Sequence, residues 1–307
     1  MMIKDKKILV TGPTGGVARP IALELARANQ VWGAARFTDP ALRAELEAAG
    51  VRTFTWSLGQ DDFTGLPDDF DYVIHSACNI FPVMHDYEGA VRTNAEGTGL
   101  LIAHCRKMKA LLYVSSMQIY SSIPDNGRPR KEDEALGCHA SYAPAYSISK
   151  VATEAVARTL ARIFGIPTII ARLGMNYGPG TGGAQLMAVK AMLAEGKLKV
   201  PPRGVSYCSP IHNAEVIEQI EPLLAAASVP ATIVNWVGDE GVDERELLEY
   251  MAEVAGIHVQ FEEDPAAGYR GGVGDPARRI AITGPSRRLW REGHREMLKA
   301  NFPELGL

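Results

Sequence analysis

The sequence predicts an α/β fold built on a doubly wound parallel sheet, with a smaller C-terminal subdomain, and three observations carry that prediction. Short apolar runs of strand length alternate with helix-length amphipathic segments, the pattern of parallel βαβ units. The first run, Lys7–Thr11 (KILVT), leads directly into a glycine-rich turn and then an apolar-periodic helix. The chain has 307 residues, 46% hydrophobic and 22% charged, enough for one large domain with an appendage.

Taken in order, the elements repeat one unit. After the turn at Gly12 to Gly16 a helix is expected over about residues 17–28, then a second strand near Gln30–Ala35. Further strands are expected at 53–56, 72–76, 111–115, Thr168–Leu173 and 232–237. Two long helices are expected at about 86–108 and Pro144–Phe164, the second with Ser141 or Ala143 ahead of a proline in its first turn. Beyond Leu173 the texture changes to Gly/Pro-rich loops (176–183 and 201–210) around a helix near 184–195. Residues 1–175, with about 211–238 returning to the sheet, are therefore expected to form the dinucleotide-binding domain. Residues 176–210 and 239–307 are expected to form a substrate-binding subdomain.

The net charge of −4 gives no general basic surface, so nucleic acid is not an expected partner. Cys78, Cys105, Cys138 and Cys208 stand far apart and read as separate reduced thiols. His75, His85, His104, His139 and His212 lack metal-ligand spacing, and no metal is expected. The N-terminus shows no signal peptide, and no apolar run approaches the ~20 residues of a membrane span. The expectation is a cytoplasmic protein with no membrane partner. Residues 124–139, with the cluster Arg128-Pro-Arg-Lys131, read as a surface loop with solvated charges or a mobile flap.

The turn Thr11-Gly-Pro-Thr-Gly-Gly-Val-Ala18 has the spacing of a phosphate-cradling βα turn. Gly12 would permit the tight turn, Gly15 the approach of a pyrophosphate, and small Ala18 close packing of helix on sheet. The helix N-terminus would offer unpaired N–H groups to the phosphates. This is the signature of a Rossmann dinucleotide site, with Thr14, Gly16 and Val17 also at the cofactor. The second strand ends Gly33-Ala-Ala-Arg36, with no acid before Asp39. Arg36 could pair with a 2′-phosphate, so NADP(H) is the preferred cofactor and NAD(H) the possible one.

Tyr146-Ser-Ile-Ser-Lys150 places a phenol and an ammonium four residues apart, on one face of a helix. A neighbouring ammonium favours phenolate, which suits general acid–base work. Upstream, Leu111-Leu-Tyr-Val-Ser-Ser-Met-Gln-Ile-Tyr120 puts two serines at the end of a buried strand, where open α/β sheets bind ligands. Tyr142 lacks a lysine four positions on.

Glycine turn, VSS strand end and YxxxK in this order resemble the extended short-chain dehydrogenase/reductases, the superfamily of UDP-sugar epimerases and dihydroflavonol-type reductases. The resemblance covers about residues 6–238. Supporting it are Asp71-Tyr-Val-Ile-His-Ser-Ala77, Asn94 in Thr93-Asn-Ala-Glu-Gly-Thr98, Arg172-Leu-Gly-Met-Asn-Tyr-Gly-Pro179, the pair Ile211-His212 and a tail echo at Trp290-Arg-Glu-Gly293. It implies Tyr146 as general acid or base, Lys150 holding the ribose and lowering the phenol's proton affinity, and Ser116 as the catalytic serine. Ser115 would touch the nicotinamide region, and Asn94 would help order the site. Leu58, Ser76, Ala77 and Gly174 complete the implied cofactor contacts. The family's dimerising helix pair implies a homodimer.

Departures from the pattern narrow the chemistry. Met117-Gln118 replaces the acidic residues that related dehydratases carry after the catalytic Ser/Thr, so dehydration is not expected. Cys208 stands where enzymes acting on nucleotide sugars carry a diphosphate-binding arginine, although Arg203 lies nearby, and Met175 occupies the loop asparagine's position beside Asn176. Asn79, Phe81, Met84, Met117, Gln118, Met175, Tyr177, Met187 and Tyr207, with His212, are the residues expected to face a substrate. That largely apolar set suits an uncharged or aromatic carbonyl compound. The leading expectation is an NADP(H)-dependent oxidoreductase acting on a small carbonyl or alcohol. The alternatives are an NAD-dependent nucleotide-sugar epimerase and, more remotely, a non-catalytic regulator that senses cofactor ratio.

Overall fold

The computed structural model describes residues 3–123, 126–137, 143–181, 183–268 and 271–307. Cys138, His139, Ser141 and Tyr142 lie outside the described residues.

The chain runs β1 (Lys7–Thr11), α1 (Ala18–Ala26), β2 (Gln30–Ala35), α2 (Pro40–Ala48), β3 (Arg52–Thr55), β4 (Tyr72–His75), α3 (Tyr87–Ala90), α4 (Gly97–His104), β5 (Ala110–Ser116), α5 (Pro144–Phe164) and β6 (Thr168–Leu173). It continues through β7 (Met175–Tyr177), α6 (Gly183–Glu195), β8 (Lys197–Val200), β9 (Tyr207–Cys208), β10 (Pro210–His212), α7 (Asn213–Ala225) and β11 (Thr232–Trp236). The tail holds β12 (Val242–Asp243), α8 (Glu244–Val254), β13 (Gln260–Glu263), α9 (Ala277–Thr283) and α10 (Trp290–Asn301).

Seven strands form one sheet in the order β11-β6-β5-β4-β1-β2-β3, every neighbouring pair parallel. This is the doubly wound α/β fold that the alternation predicts. The strand order reverses between β1 and β4, so a crevice opens at their C-terminal ends. Burial on both faces explains the continuous apolar runs. Ile8 and Val10 pack under α1 and α7, while Leu9 faces the opposite layer with Leu101, Ile102 and Ala157. A further core gathers Tyr177, Val189, Leu247, Met251, Trp290 and Met297 from the segments after β6.

The expected helix over 86–108 is not regular. A π-helical turn at Val91–Glu96 separates α3 from α4, and the run ends at His104. Close packing accounts for the irregularity. A Cβ on Gly97 would stand 2.5 Å from the Gly59 nitrogen, and Asn94 inside the π turn is drawn toward the loop after β4. Single π turns of this kind are frequent beside functional sites. The two-stranded pairs β8–β13 and β9–β12 were not expected from sequence, because each strand is two to four residues long.

The 128–131 cluster is also not simply solvated. Arg128 is paired with Glu134, whereas Arg130 is 2% exposed, stacked over Tyr120 and donating to the Ser121 carbonyl. No helix among the described residues is long and apolar enough to cross a membrane.

Candidate active site

The crevice beside β1 is a cleft of about 380 Å³. Its floor is the glycine turn. Gly12 has φ +70°, and a Cβ there would stand 3.1 Å from the Ala77 Cα, so both conformation and space require glycine. The Gly15 nitrogen donates to the Gly12 carbonyl at 2.9 Å, and the Arg19 nitrogen to that of Gly15, which closes the turn onto α1. Ala18 is 1% exposed in the core beneath. No side chain caps the start of α1; the Arg19 N–H is taken by the Gly15 carbonyl and Pro20 has none, which leaves Gly16, Val17 and Ala18 as the N–H groups at the turn.

Thr14, Gly16, Val17, Leu58, Ser76, Ala77 and Gly174 are on the cleft wall with the turn. Arg36 lies exposed on the wall at the end of β2, followed by Phe37 at φ +50°, a conformation seldom adopted by a bulky side chain. That turn aims the end of β2 at the cleft.

The opposite wall comes from β5 and α5. Ser115 and Ser116 close β5, and Tyr146 and Lys150 lie on α5, the lysine 3% exposed. Lys150 Nζ lies 5.8 Å from the Tyr146 ring centre and 5.0 Å from that of Tyr113, and it donates to the Val114 carbonyl at 2.7 Å. Burial pulls the lysine's proton affinity down, against a smaller opposing pull from Cys78 and Glu154. Ser116 Oγ accepts from the Gln118 nitrogen at 3.2 Å, which starts a short helical turn and holds the hydroxyl at the strand end.

Behind this wall stands a sealed polar network. Ser115 Oγ donates to Glu154 Oε1 at 2.6 Å, so that hydroxyl is engaged away from the expected nicotinamide contact although the residue borders the cleft. Arg172 donates to both carboxylate oxygens of Glu154 at 3.0 and 2.9 Å and to the Tyr120 hydroxyl at 2.8 Å. Tyr120 in turn donates to Asn235 Oδ1 at 2.7 Å. The β5–β6 register sets Ser115 beside Arg172.

Asn94 is 2% exposed and is not on the cleft wall. Its amide accepts from the Asn79 nitrogen at 2.8 Å and donates to the Asn79 carbonyl and to Ser149 Oγ. It ties the loop after β4 to α5, an arrangement that orders the site from behind the wall.

The expected substrate residues divide. Asn79 borders the cleft; Phe81, Met175 and Met187 border a second hollow beyond it. The others are on neither wall. Met117 packs with Tyr120 and Val237, and Gln118 is 1% exposed. Met84 follows a short helical turn, and its carbonyl accepts from the Ala145 nitrogen. Tyr207 lies against Gly127. Tyr177 is stacked 3.8 Å from the His294 ring, with His212 edge-on at 5.2 Å. His212 caps α7 through Nδ1, and burial pushes its pKa down to about 4.

Sequence reasoning missed Phe37, Trp56, Cys78 and Ile80 on the cleft wall. Cys78 and Ile80 follow directly on the Asp71–Ala77 run, so extending that motif by three residues would have found them. Burial raises the Cys78 thiol's pKa. Among the described residues no group of three His, Cys, Asp or Glu side chains could hold a metal ion.

The chain is 30% identical over 196 residues to a probable dTDP-glucose 4,6-dehydratase of Sinorhizobium fredii, a match covering 56% of this chain and 54% of that relative, about half its length. In fold it is similar to the UDP-N-acetylglucosamine 4-epimerase of Methanobrevibacter ruminantium, with a TM-score of 0.83 and 18% identity over 98% of this chain and 100% of that one. The UDP-glucuronic acid 4-epimerase of Bacillus cereus, solved with UDP-glucuronic acid and NAD, gives 0.81 and 19% over 96% and 98%. The UDP-glucose 4-epimerase of Thermotoga maritima gives 0.82 and 17% over 97% and 99%. These structural likenesses carry the fold. Residues 8–206 match the NAD dependent epimerase/dehydratase family, and the chain belongs to that family.

Proposed function

We propose that the protein is a nicotinamide-dependent oxidoreductase, with Tyr146, Lys150 and Ser116 as its catalytic group. The observation that carries this reading is a single cleft with the glycine turn as floor and those three side chains on the facing wall. The residues suit a dinucleotide. Gly12 leaves no room for a side chain, and the uncapped start of α1 offers N–H donors to a pyrophosphate. The nicotinamide group, when bound, supplies or accepts the hydride.

The chain's own groups manage the proton and the orientation. In reduction the Tyr146 hydroxyl gives its proton to the carbonyl oxygen as that oxygen gains the bonding pair; in oxidation the phenolate takes it back. Lys150, buried 5.8 Å from the ring centre, stabilises the phenolate and has donors for ribose hydroxyls. Ser116 donates to the substrate oxygen from a strand end fixed by its own hydrogen bond. Arg36, exposed at the adenosine end, supports NADP(H) as the cofactor. The segments around the additional core, residues 176–210 and 239–307, are the proposed substrate-binding subdomain. Leu100, Ile148 and Ile163 leave apolar surface on α4 and α5, which suits a second copy of the chain.

A second reading, epimerisation of a nucleotide sugar with retained NAD, is favoured by the solved relatives, which include UDP-sugar 4-epimerases. Against it, Cys208 is buried at the expected arginine position, and Arg203 is engaged by Glu249. Dehydration is disfavoured because Met117 and Gln118, both 1% exposed, supply no carboxylate to the cleft.

Titration of NADPH and NADH, followed by thermal shift with UDP- and GDP-sugars, tests both readings. The oxidoreductase reading expects NADPH to bind more tightly than NADH and no stabilisation by the sugars. Tightly copurified NAD with stabilisation by a UDP-sugar would select the epimerase instead.

A further inference from the structure

We infer that the hollow next to the cofactor cleft is a substrate subsite for an uncharged hydrocarbon or aromatic group. The inference deepens the oxidoreductase reading, on which it rests for the position of the reacting carbon. The hollow has a volume of about 580 Å³ and lies among Met175, α6, β8 and α8. Ala184, Ala188, Leu198, Leu247 and Leu248 make its walls, none of them singled out by sequence reasoning. At its edge Phe81 and Met187 are each 72% exposed, large apolar side chains left mostly open to solvent.

Continuity with the cleft identifies the occupant. Ile80 and Gly174 are on the cleft wall, and their chain successors Phe81 and Met175 are on the wall of the hollow. Consecutive Cα atoms lie only ~3.8 Å apart, so the partition is one residue thick at two places. A substrate with its carbonyl or alcohol carbon beside Tyr146 and Ser116 would pass its remainder over that partition.

Charge decides what the remainder is. Among the described residues the wall's charged ones are Lys199, whose ammonium lies 3.4 Å from an Asp264 carboxylate oxygen, and Glu244, 4% exposed. They sum to no net charge. Between Lys199 and Glu244 a diphosphate carrying two or more negative charges would meet no net opposite charge, whereas an apolar group gains from leaving water.

The probe pair is 4-phenyl-2-butanol and 2-butanol, titrated calorimetrically into the full chain saturated with oxidised NADP. The phenyl alcohol should bind about 100-fold more tightly, the gain expected from burying its ring. Ala188→Trp, which fills the hollow, should cut that preference at least about tenfold, as should Met187→Asp at the exposed rim, where folding is not at risk. Cofactor affinity should be unchanged in both. Equal binding of the two alcohols to the loaded protein, or a preference untouched by both substitutions, would overturn the subsite. If the cofactor fails to bind, the oxidoreductase reading falls separately, and the same titration without cofactor still reads the hollow: preference for the phenyl alcohol supports it and equal binding overturns it.

Discussion

Two polar clusters meet at the C-terminal ends of β5 and β6, and the structure resolves them in opposite ways. Lys150 and Glu154 stand one turn apart on α5. Glu154 turns into a network in which the carboxylate, the Arg172 guanidinium, the Tyr120 hydroxyl and the Asn235 amide each have a partner. Lys150 turns toward the cleft, where its ammonium donates to one backbone carbonyl and lies between two aromatic rings. An ammonium has three donors, so capacity remains for a ligand. The comparison separates two kinds of buried charge: the matched cluster fixes the strand ends, and on the proposed reading the spare donors of Lys150 are where a ribose would complete the bonding.

The largest effect that would break this contrast lies in the open cluster. Tyr146→Phe should lower turnover by about 10²- to 10⁴-fold while the cofactor dissociation constant stays the same. A near-normal steady-state rate would remove the phenol from the mechanism.

In the sealed cluster the effect falls on stability instead. Glu154→Ala leaves the Arg172 guanidinium, 2% exposed, without its carboxylate and should cost about 3–5 kcal/mol in urea denaturation. The double change Glu154→Leu with Arg172→Met should recover much of that loss. Lys150→Met should do the reverse, sparing stability and weakening cofactor binding. If Glu154→Ala unfolded no more easily than Lys150→Met, the division into scaffold and site would fail.

Acid sharpens the contrast between the cleft and the additional core. Burial, aided by repulsion from Lys150, pushes the His75 pKa down to about 3 next to the cleft. Burial also pushes His212 and His294 to about 4 in the additional core. Unfolded histidines take up protons near pH ~6.5, which these native ones resist. The stability is therefore complete above that pH and is lost as pH falls through 6.5 toward 4 and 3, by several kcal/mol in order of magnitude. Denaturation midpoints at pH 7 and pH 4.5 measure it, and equal midpoints would contradict it.

The smallest expected effect concerns the cofactor's far end. Arg36→Ala should weaken NADPH about tenfold and leave NADH unchanged, because only one of the two carries a 2′-phosphate. An unchanged NADPH preference would reject that role for Arg36.

The same contrast explains how much was legible in the sequence. The alternating runs gave the strands of the main sheet, because strands buried on both faces must be continuously apolar, and the glycine turn marked the crevice. The spacing of Tyr146 and Lys150 on one helix face was equally readable. What could not be read is decided by partners distant in sequence. Ser115 points to a carboxylate on α5, Arg130 is buried by Tyr120, and Tyr177 and His212 meet His294 from the last helix. Apolar residues in the loops beyond the strand ends carry no mark separating core from pocket, so Met117 and Tyr177 read the same as Phe81 and Met187 until the packing is seen.

A crystal structure with the oxidised dinucleotide bound measures the central claim most directly. The account predicts the pyrophosphate against the Gly12–Gly16 turn, Lys150 Nζ within hydrogen-bond distance of the nicotinamide ribose, and the Tyr146 hydroxyl beside the nicotinamide ring. A dinucleotide lying elsewhere, or with its nicotinamide turned away from Tyr146 and Ser116, would contradict it.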